Sequence, residues 1–399
     1  MFSFFLSLLV LAALVPAAFF VVECLGGMGQ RTEETGASAM RRSFAGTVAI
    51  IVPAHNEAGT IEPTLRALLA QRRETMRLIV VADNCTDETA EKSHQIFDGH
   101  SNTDVLERQN TDQRGKGYAL AFGLDALRER PVDIVVFVDA DCLLGERCLE
   151  RIIQAADHLG RPAQALYLMD APTPATPGQS IAAFAWLVMN KIRMRGLFRL
   201  FDVTRLTGSG MAFPYPVLRD HFEGTGDIVE DLGLTVHLVR RGYAPVLVEN
   251  AVVTSTLPAT DRAATTQRAR WEHGALAVAK REAMGLALAG LRQGDLRLTA
   301  LAFDIAIPPL VLLISGLVVL VALTSLMVLT GIVFPAILAS VGLIGLLVIV
   351  AIVWARHGRN VLPAAALRGV PGFILNKTKI HGREGRRSTK TWTRTQRDP

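Results

Sequence analysis

The sequence predicts an α/β domain on a mostly parallel, twisted sheet with helices on both faces, joined to three transmembrane helices. Apolar runs of strand length alternate with amphipathic helical segments between about residues 44 and 281. Clusters of Asp, Asn, Glu and His recur directly after those runs. Two long stretches carry no charge at all.

Taking the elements in order, residues 1–22 (MFSFFLSLLVLAALVPAAFFVV) have no charged side chain and would form a helix about 30 Å long. The segment lacks a basic start and a small-x-small site before Glu23, so it reads as a retained anchor rather than a cleaved leader. Gly26–Arg42 reads as a linker. TVAIIVP (47–53) is a buried strand, TIEPTLRALLAQ (60–71) a helix, and RLIVVAD (77–83) the second strand, with a helix capped by Thr86 or Asp87 after it. A short strand at Val105 and a helix over 117–127 lead to DIVVFV (133–138), which ends in Asp139-Ala140-Asp141. From Ile305 to Ala355 charge is absent again, long enough for two spans with a hairpin at Gly331 and Pro335.

These readings divide the chain into an anchor (1–24), a linker (25–43), a cytoplasmic catalytic domain (44–259), amphipathic interfacial helices (260–300), two spans (303–355) and a basic tail (356–399). The tail holds eleven Lys and Arg against Glu384 and Asp398, in a chain of net charge +5. Together with Arg31, Arg41 and Arg42 it puts both flanks, and the domain between them, in the cytoplasm. A basic tail tethered to spans suits an anionic leaflet better than nucleic acid. The four cysteines form no C-x-x-C pair, so neither a zinc site nor a disulfide framework is expected.

In parallel sheets ligands bind beyond the carboxyl ends of the strands, and there the chemistry-bearing residues fall. His55, Asn56 and Glu57 follow the first strand, Asp83, Asn84 and Asp87 the second, and Asp139 and Asp141 the DIVVFV strand. Any one cluster could be helix capping or a turn; three on one rim point to a nucleotide site. Carboxylates at Glu57 and Asp83 can accept hydrogen bonds from a ribose and a base. An Asp-x-Asp can hold Mg2+ or Mn2+ on a diphosphate, and Lys116, between two glycines opening a helix, favours phosphate. No dinucleotide fingerprint or P-loop follows any strand.

IVPAHNE, VVADNCTDET, RGKGYAL and VDADC, in that order, resemble the family 2 glycosyltransferases, and the likeness continues through LTGSGMAF, IVEDLGLTVHLVRRGY and QRARW. The resemblance implies a GT-A fold, a nucleotide-diphosphate sugar donor, UDP-linked, and inverting transfer. It implies that Pro53, His55, Glu57 and Asp83 line the nucleoside pocket, that Lys116 and Asp139 meet the diphosphate, and that Asp141 with Asp139 meets the metal. Asp231 of the Glu230-Asp231 pair would be the general base, with helix-dipole stabilisation as the plain alternative role for either carboxylate. Gln267, Arg270 and Trp271 would lie near acceptor and diphosphate, and Gly208–Gly210 would line the acceptor side.

QRARW also sits in a basic amphipathic helix, as does AWLVMNKIRMRGLFRL (185–200), and both suit a membrane surface. Q-x-x-R-W is associated with processive synthases, which carry more spans than three. The expectation is therefore single-sugar addition to a lipid-linked oligosaccharide at the bacterial inner membrane, in exopolysaccharide assembly beside export or polymerase proteins. The ending TWTRTQR resembles the tail of bacterial exopolysaccharide transferases. A processive synthase subunit needing channel partners is the alternative enzyme, and a non-catalytic nucleotide-sugar sensor the alternative from another class.

Overall fold

A computed structural model describes residues 2–29, 44–258 and 260–373. The linker residues 30–43 and the tail beyond residue 373, with the TWTRTQR ending, lie outside the described residues. The described residues resolve into two compact units, one of residues 44–170, 202–258 and 260–274, the other of 2–29, 171–201 and 275–373.

The first of these holds an eight-stranded sheet. Its strands are β1 (Val48–Ala54), β2 (Arg77–Asp83), β3 (Thr103–Arg108), β4 (Ile134–Phe137), β5 (Leu143–Leu144), β6 (Ala163–Asp170), β7 (Met211–Pro214) and β8 (Val246–Thr256), in the order β3-β2-β1-β4-β7-β6-β8-β5. The stretch β3-β2-β1-β4 is parallel throughout, as expected of β-branched runs linked by the helices Ile61–Gln71, Thr89–Phe97 and Lys116–Asp125. Beyond β4 the sheet is mixed: β7 runs antiparallel to both β4 and β6, β8 is parallel to β6, and β5 is antiparallel to β8.

That reversal has a positional effect. With Phe137 opposite Met211, the loop entering β7 reaches the same rim as the residues leaving β4. Phe137 and Phe213 are fully buried, with ring centroids 5.4 Å apart, and anchor the two strands to one core. Gly123 lets the helix Lys116–Asp125 approach the sheet, since a Cβ there would lie 2.8 Å from Ile51 Cγ2. The helix after β2 starts at Thr89 rather than Thr86, because Asn56 Oδ1 already takes the N–H groups of Thr86 and Asp87. Asp87 Oδ1 accepts from Thr89 N.

The other unit is helical. Three of its helices are long and apolar enough to cross a membrane: Ser3–Met28, Leu310–Val328 and Phe334–Gly358. The first runs past the expected anchor end at residue 24. Gly27 and Gly196 explain how, because a Cβ at either would collide with the backbone of Ile192 or Glu23, so the first helix meets the segment Val188–Phe201 backbone to backbone. Gly331 takes a positive φ of 83° in the hairpin and Pro335 opens the third span. Within this unit Arg193 is buried, its Nε 2.6 Å from Glu23 and its Nη2 2.7 Å from Asp304, two carboxylates as buried as itself. A charge in such a place persists only when paired.

Candidate active site

The rim beyond the carboxyl ends of β1, β2 and β4 is cross-braced by the polar residues that follow each strand. His55 Nδ1 lies 2.6 Å from the Asp83 carbonyl. Glu57 N donates to Thr89 Oγ1 and Ala58 N to Asp87. Asn56 and Asn84 both take positive φ, near 56° and 51°, which Asn tolerates better than bulkier residues. His55, Glu57 and Asp83 are thus held on one edge, with Pro53 half-buried on β1 just before them.

Asp83 is buried, and its Oδ1 accepts from Arg108 Nη1 at 2.6 Å and from Asn84 Nδ2 at 3.0 Å. Arg108 closes β3, donates also to the Gln113 carbonyl, and lies 5.8 Å from the Tyr118 ring centroid. Arg108 escapes a reading of the sequence. The signal was a cation at the end of an edge strand whose partner stands 25 positions away.

A second group of side chains gathers where β4, β7 and two helix starts meet. Lys116 Nζ is 2.5 Å from Asp139 Oδ1, 3.5 Å from Glu230 Oε1 and 2.7 Å from the Gly208 carbonyl, to which it donates. Asp139 N donates to Ser209 Oγ at 3.0 Å, which pins the Asp-x-Asp turn to the Gly208–Gly210 loop. Glu230 and Asp231 open the helix Glu230–Arg240, and Asp231 Oδ1 accepts from Leu232 N. Gly208 has φ of 87°, and a Cβ on it would stand 3.1 Å from Lys116 Nζ, 3.3 Å from Asp231 Oδ2 and 3.8 Å from Asp139 Oδ2. The bare glycine therefore leaves a small space bordered by one cation and two carboxylates.

Electrostatics follow from that crowding. Burial pushes Glu230 up to about 7, against the pull of Lys116 and with Asp231 adding to the rise. Asp139 is raised to about 6 by burial, again opposed by Lys116 and reinforced by Asp141. Asp231 is raised by burial as well. For Lys116 burial works against the charge, but Asp139 and Glu230 outweigh it and hold the ammonium protonated.

Donor atoms of Asp139, Asp141 and Cys142 lie within 4.8 Å of one another. Burial, with both aspartates beside it, pushes the Cys142 thiol well up, so it stays protonated and a poor ligand. The donors that remain are two carboxylates, which suit a hard cation such as Mg2+ or Mn2+ that keeps further oxygen ligands from phosphate and water.

Gln267, Arg270 and Trp271 fall on the helix Asp261–Gln293, all half-buried. Three residues on, Gly274 packs against Val229, the residue before the Glu230-Asp231 pair: a Cβ there would lie 3.0 Å from Val229 Cγ2. Burial lowers Arg270 from the ordinary guanidinium value.

Residues 45–274 match the family described as "Glycosyltransferase like family 2", which is more than half of the chain. The chain belongs to that family. This family 2 glycosyltransferase is 25% identical over 239 residues to the poly-beta-1,6-N-acetyl-D-glucosamine synthase of Staphylococcus aureus, covering 57% of the chain and 54% of that protein. It is 32% identical over 133 residues to the glycosyltransferase AglD of Haloferax volcanii, or 32% of the chain and 20% of AglD. The chain thus spans about half, or a fifth, of the length of these relatives. Among solved structures it resembles the mannosyltransferase PcManGT of Pyrobaculum calidifontis, with a TM-score of 0.50 at 18% identity over 86% of the chain and 98% of that protein. That likeness shows the fold, which is GT-A.

Proposed function

We propose that this glycosyltransferase moves one sugar, with inversion, from a UDP-linked donor to a lipid-linked oligosaccharide at the inner membrane of a bacterium, in exopolysaccharide assembly. The observation that carries the reading is the space beside Gly208, bordered by Lys116, Asp139 and Asp231. Lys116 supplies positive charge where a departing diphosphate accumulates negative charge. Across that space Asp231, its Oδ2 not engaged by Leu232 N, takes the proton from the acceptor hydroxyl. One base on the face opposite the leaving group is what inversion requires. Its raised affinity for protons makes it a stronger base than an exposed carboxylate. Glu230 holds Lys116 in place.

Pro53, His55, Glu57 and Asp83 receive the nucleoside, with Arg108 fixing the carboxylate of Asp83. Asp139 and Asp141 would hold Mg2+ or Mn2+, which supplies countercharge to the diphosphate when bound. PcManGT was solved with GDP-Man and Mn2+, which is in keeping with a nucleotide-diphosphate sugar and such an ion here, though not with UDP in particular. Gln267, Arg270 and Trp271 contact diphosphate and acceptor: guanidinium suits phosphate oxygens, and indole suits a sugar face. The catalytic domain and tail face the cytoplasm, alongside polymerase or export proteins.

A second reading has support in the likeness to a polysaccharide synthase and in QRARW: a processive synthase subunit completed by channel partners. Membranes carrying the protein, labelled UDP- and GDP-sugars, Mn2+ and a lipid extract separate the two. Label entering organic solvent in the wild type but not in Asp231→Asn supports single addition to a lipid. Label in an insoluble chain supports the synthase. Nucleotide binding with no transfer anywhere would sink both.

A further inference from the structure

The loop that carries Gly208 precedes β7, which begins only at Met211. Its backbone groups are met by two buried polar side chains that the transferase chemistry leaves without a role. Gln164, on β6, is fully buried, with Met211 and Leu247 as its neighbours on β7 and β8. Its Oε1 accepts from Thr207 N at 2.9 Å. Its Nε2 donates to the Ser209 carbonyl at 2.9 Å and to the Ala165 carbonyl at 2.8 Å. One amide thus grips the residues on either side of Gly208. Ala165 N, next along β6, donates to the Gly210 carbonyl at 2.8 Å.

Thr235, on the helix Glu230–Arg240, is the second and is also fully buried. Its hydroxyl donates to the Asp231 carbonyl at 2.8 Å and accepts from Leu206 N at 2.9 Å. The helix that carries Asp231 and the loop that carries Gly208 are therefore joined through one oxygen atom. Burying an amide at 164 is penalised unless its polar atoms are bonded, and an apolar side chain there would carry no such penalty. The orientation of the amide is fixed as well. Turned over, it would set N–H against the Thr207 N–H and its oxygen against two carbonyls.

We propose that Gln164 and Thr235 are positioning residues for sugar transfer, holding the Gly208–Gly210 loop at the distance from Lys116, Asp139 and Asp231 that transfer requires. Gly208 is the point through which they act. Its carbonyl accepts from Lys116 Nζ, and its bare Cα leaves the space that Asp231 borders. Released from the amide, the loop moves away from Lys116 and admits water beside Asp231. A displacement of about 1 Å is enough to slow a reaction ~100-fold. This role rests on the transferase reading, in which Lys116 and Asp231 do the chemistry.

The test compares full-length wild type, Gln164→Leu, Thr235→Val and Thr235→Ser by two readouts. Hydrogen exchange of the loop reports the clamp itself. The Thr207 N–H in Gln164→Leu and the Leu206 N–H in Thr235→Val should exchange about tenfold faster than in wild type. Thr235→Ser keeps the hydroxyl and should match wild type. Transfer of label from UDP-sugar to lipid extract reports the consequence. Its kcat should fall about 100-fold in Gln164→Leu and Thr235→Val and recover in Thr235→Ser. UDP affinity by calorimetry should stay within about twofold, because Pro53, His55, Glu57 and Asp83 belong to other strands. If one variant does not assemble, the other carries the test. Unchanged exchange, or faster exchange with undiminished kcat, overturns the proposal. So does a loss of UDP affinity in step with kcat, which marks general damage to the fold. A wild type that transfers no sugar, with the exchange difference intact, sinks the transferase reading and the positioning role with it, while the clamp stands.

Discussion

Asp231 and Glu230 are adjacent in sequence but differently engaged. Glu230 points to Lys116, while Asp231 borders the space beside Gly208. Asp231→Asn should therefore lower kcat by about 10^2 to 10^4-fold while leaving UDP binding intact, as calorimetry on the same sample would check. The pH dependence follows from the same burial. Glu230 holds Lys116 only as a carboxylate, so transfer should climb as pH rises through about 7, the value for Glu230. The linked stability runs the other way. A group that binds protons more tightly when folded stabilises the fold fully below its unfolded value, and that contribution is lost as pH rises through about 7. Thermal melts of wild type and Glu230→Gln across this range should converge in slope only if Glu230 is not the titrating group.

At the scale of elements, the decisive feature is the antiparallel β7, because it delivers the Gly208–Gly210 loop to the rim where Asp139 leaves β4. Gly208→Ala should abolish transfer, since the methyl group would occupy the space between Lys116 and Asp231. Its positive φ adds about 1–2 kcal/mol of strain. A melting temperature lowered by only a few degrees beside a complete loss of turnover is the expected pairing; retained turnover would remove Gly208 from the site. This element was the hard one to read from sequence. Asp139, Asp141, Lys116, Glu57 and Asp83 stand directly after long β-branched runs or at a helix start, so their common rim follows from parallel topology alone. A four-residue strand such as β7 has no periodicity to detect, and its direction depends on pairing with β4, more than seventy residues earlier. Arg108 was hidden for a related reason. A lone arginine ending an edge strand looks solvent-facing until Asp83 of the neighbouring strand is known to meet it.

For the molecule as a whole, three apolar helices predict that the protein stays in the membrane pellet after alkaline carbonate washing and is released only by detergent. Recovery in the carbonate supernatant would contradict the spans. These helices were plain in the sequence, because an uncharged run of that length has few other uses. Less plain was that the first of them does more than tether. Glu23 and Gly27 fasten it to Arg193 and Gly196. In evolutionary terms those four positions should behave as one inherited unit. A lineage that loses the acid at 23 should also lose the base at 193, and a larger residue at 196 should appear only where the first helix has been replaced as well.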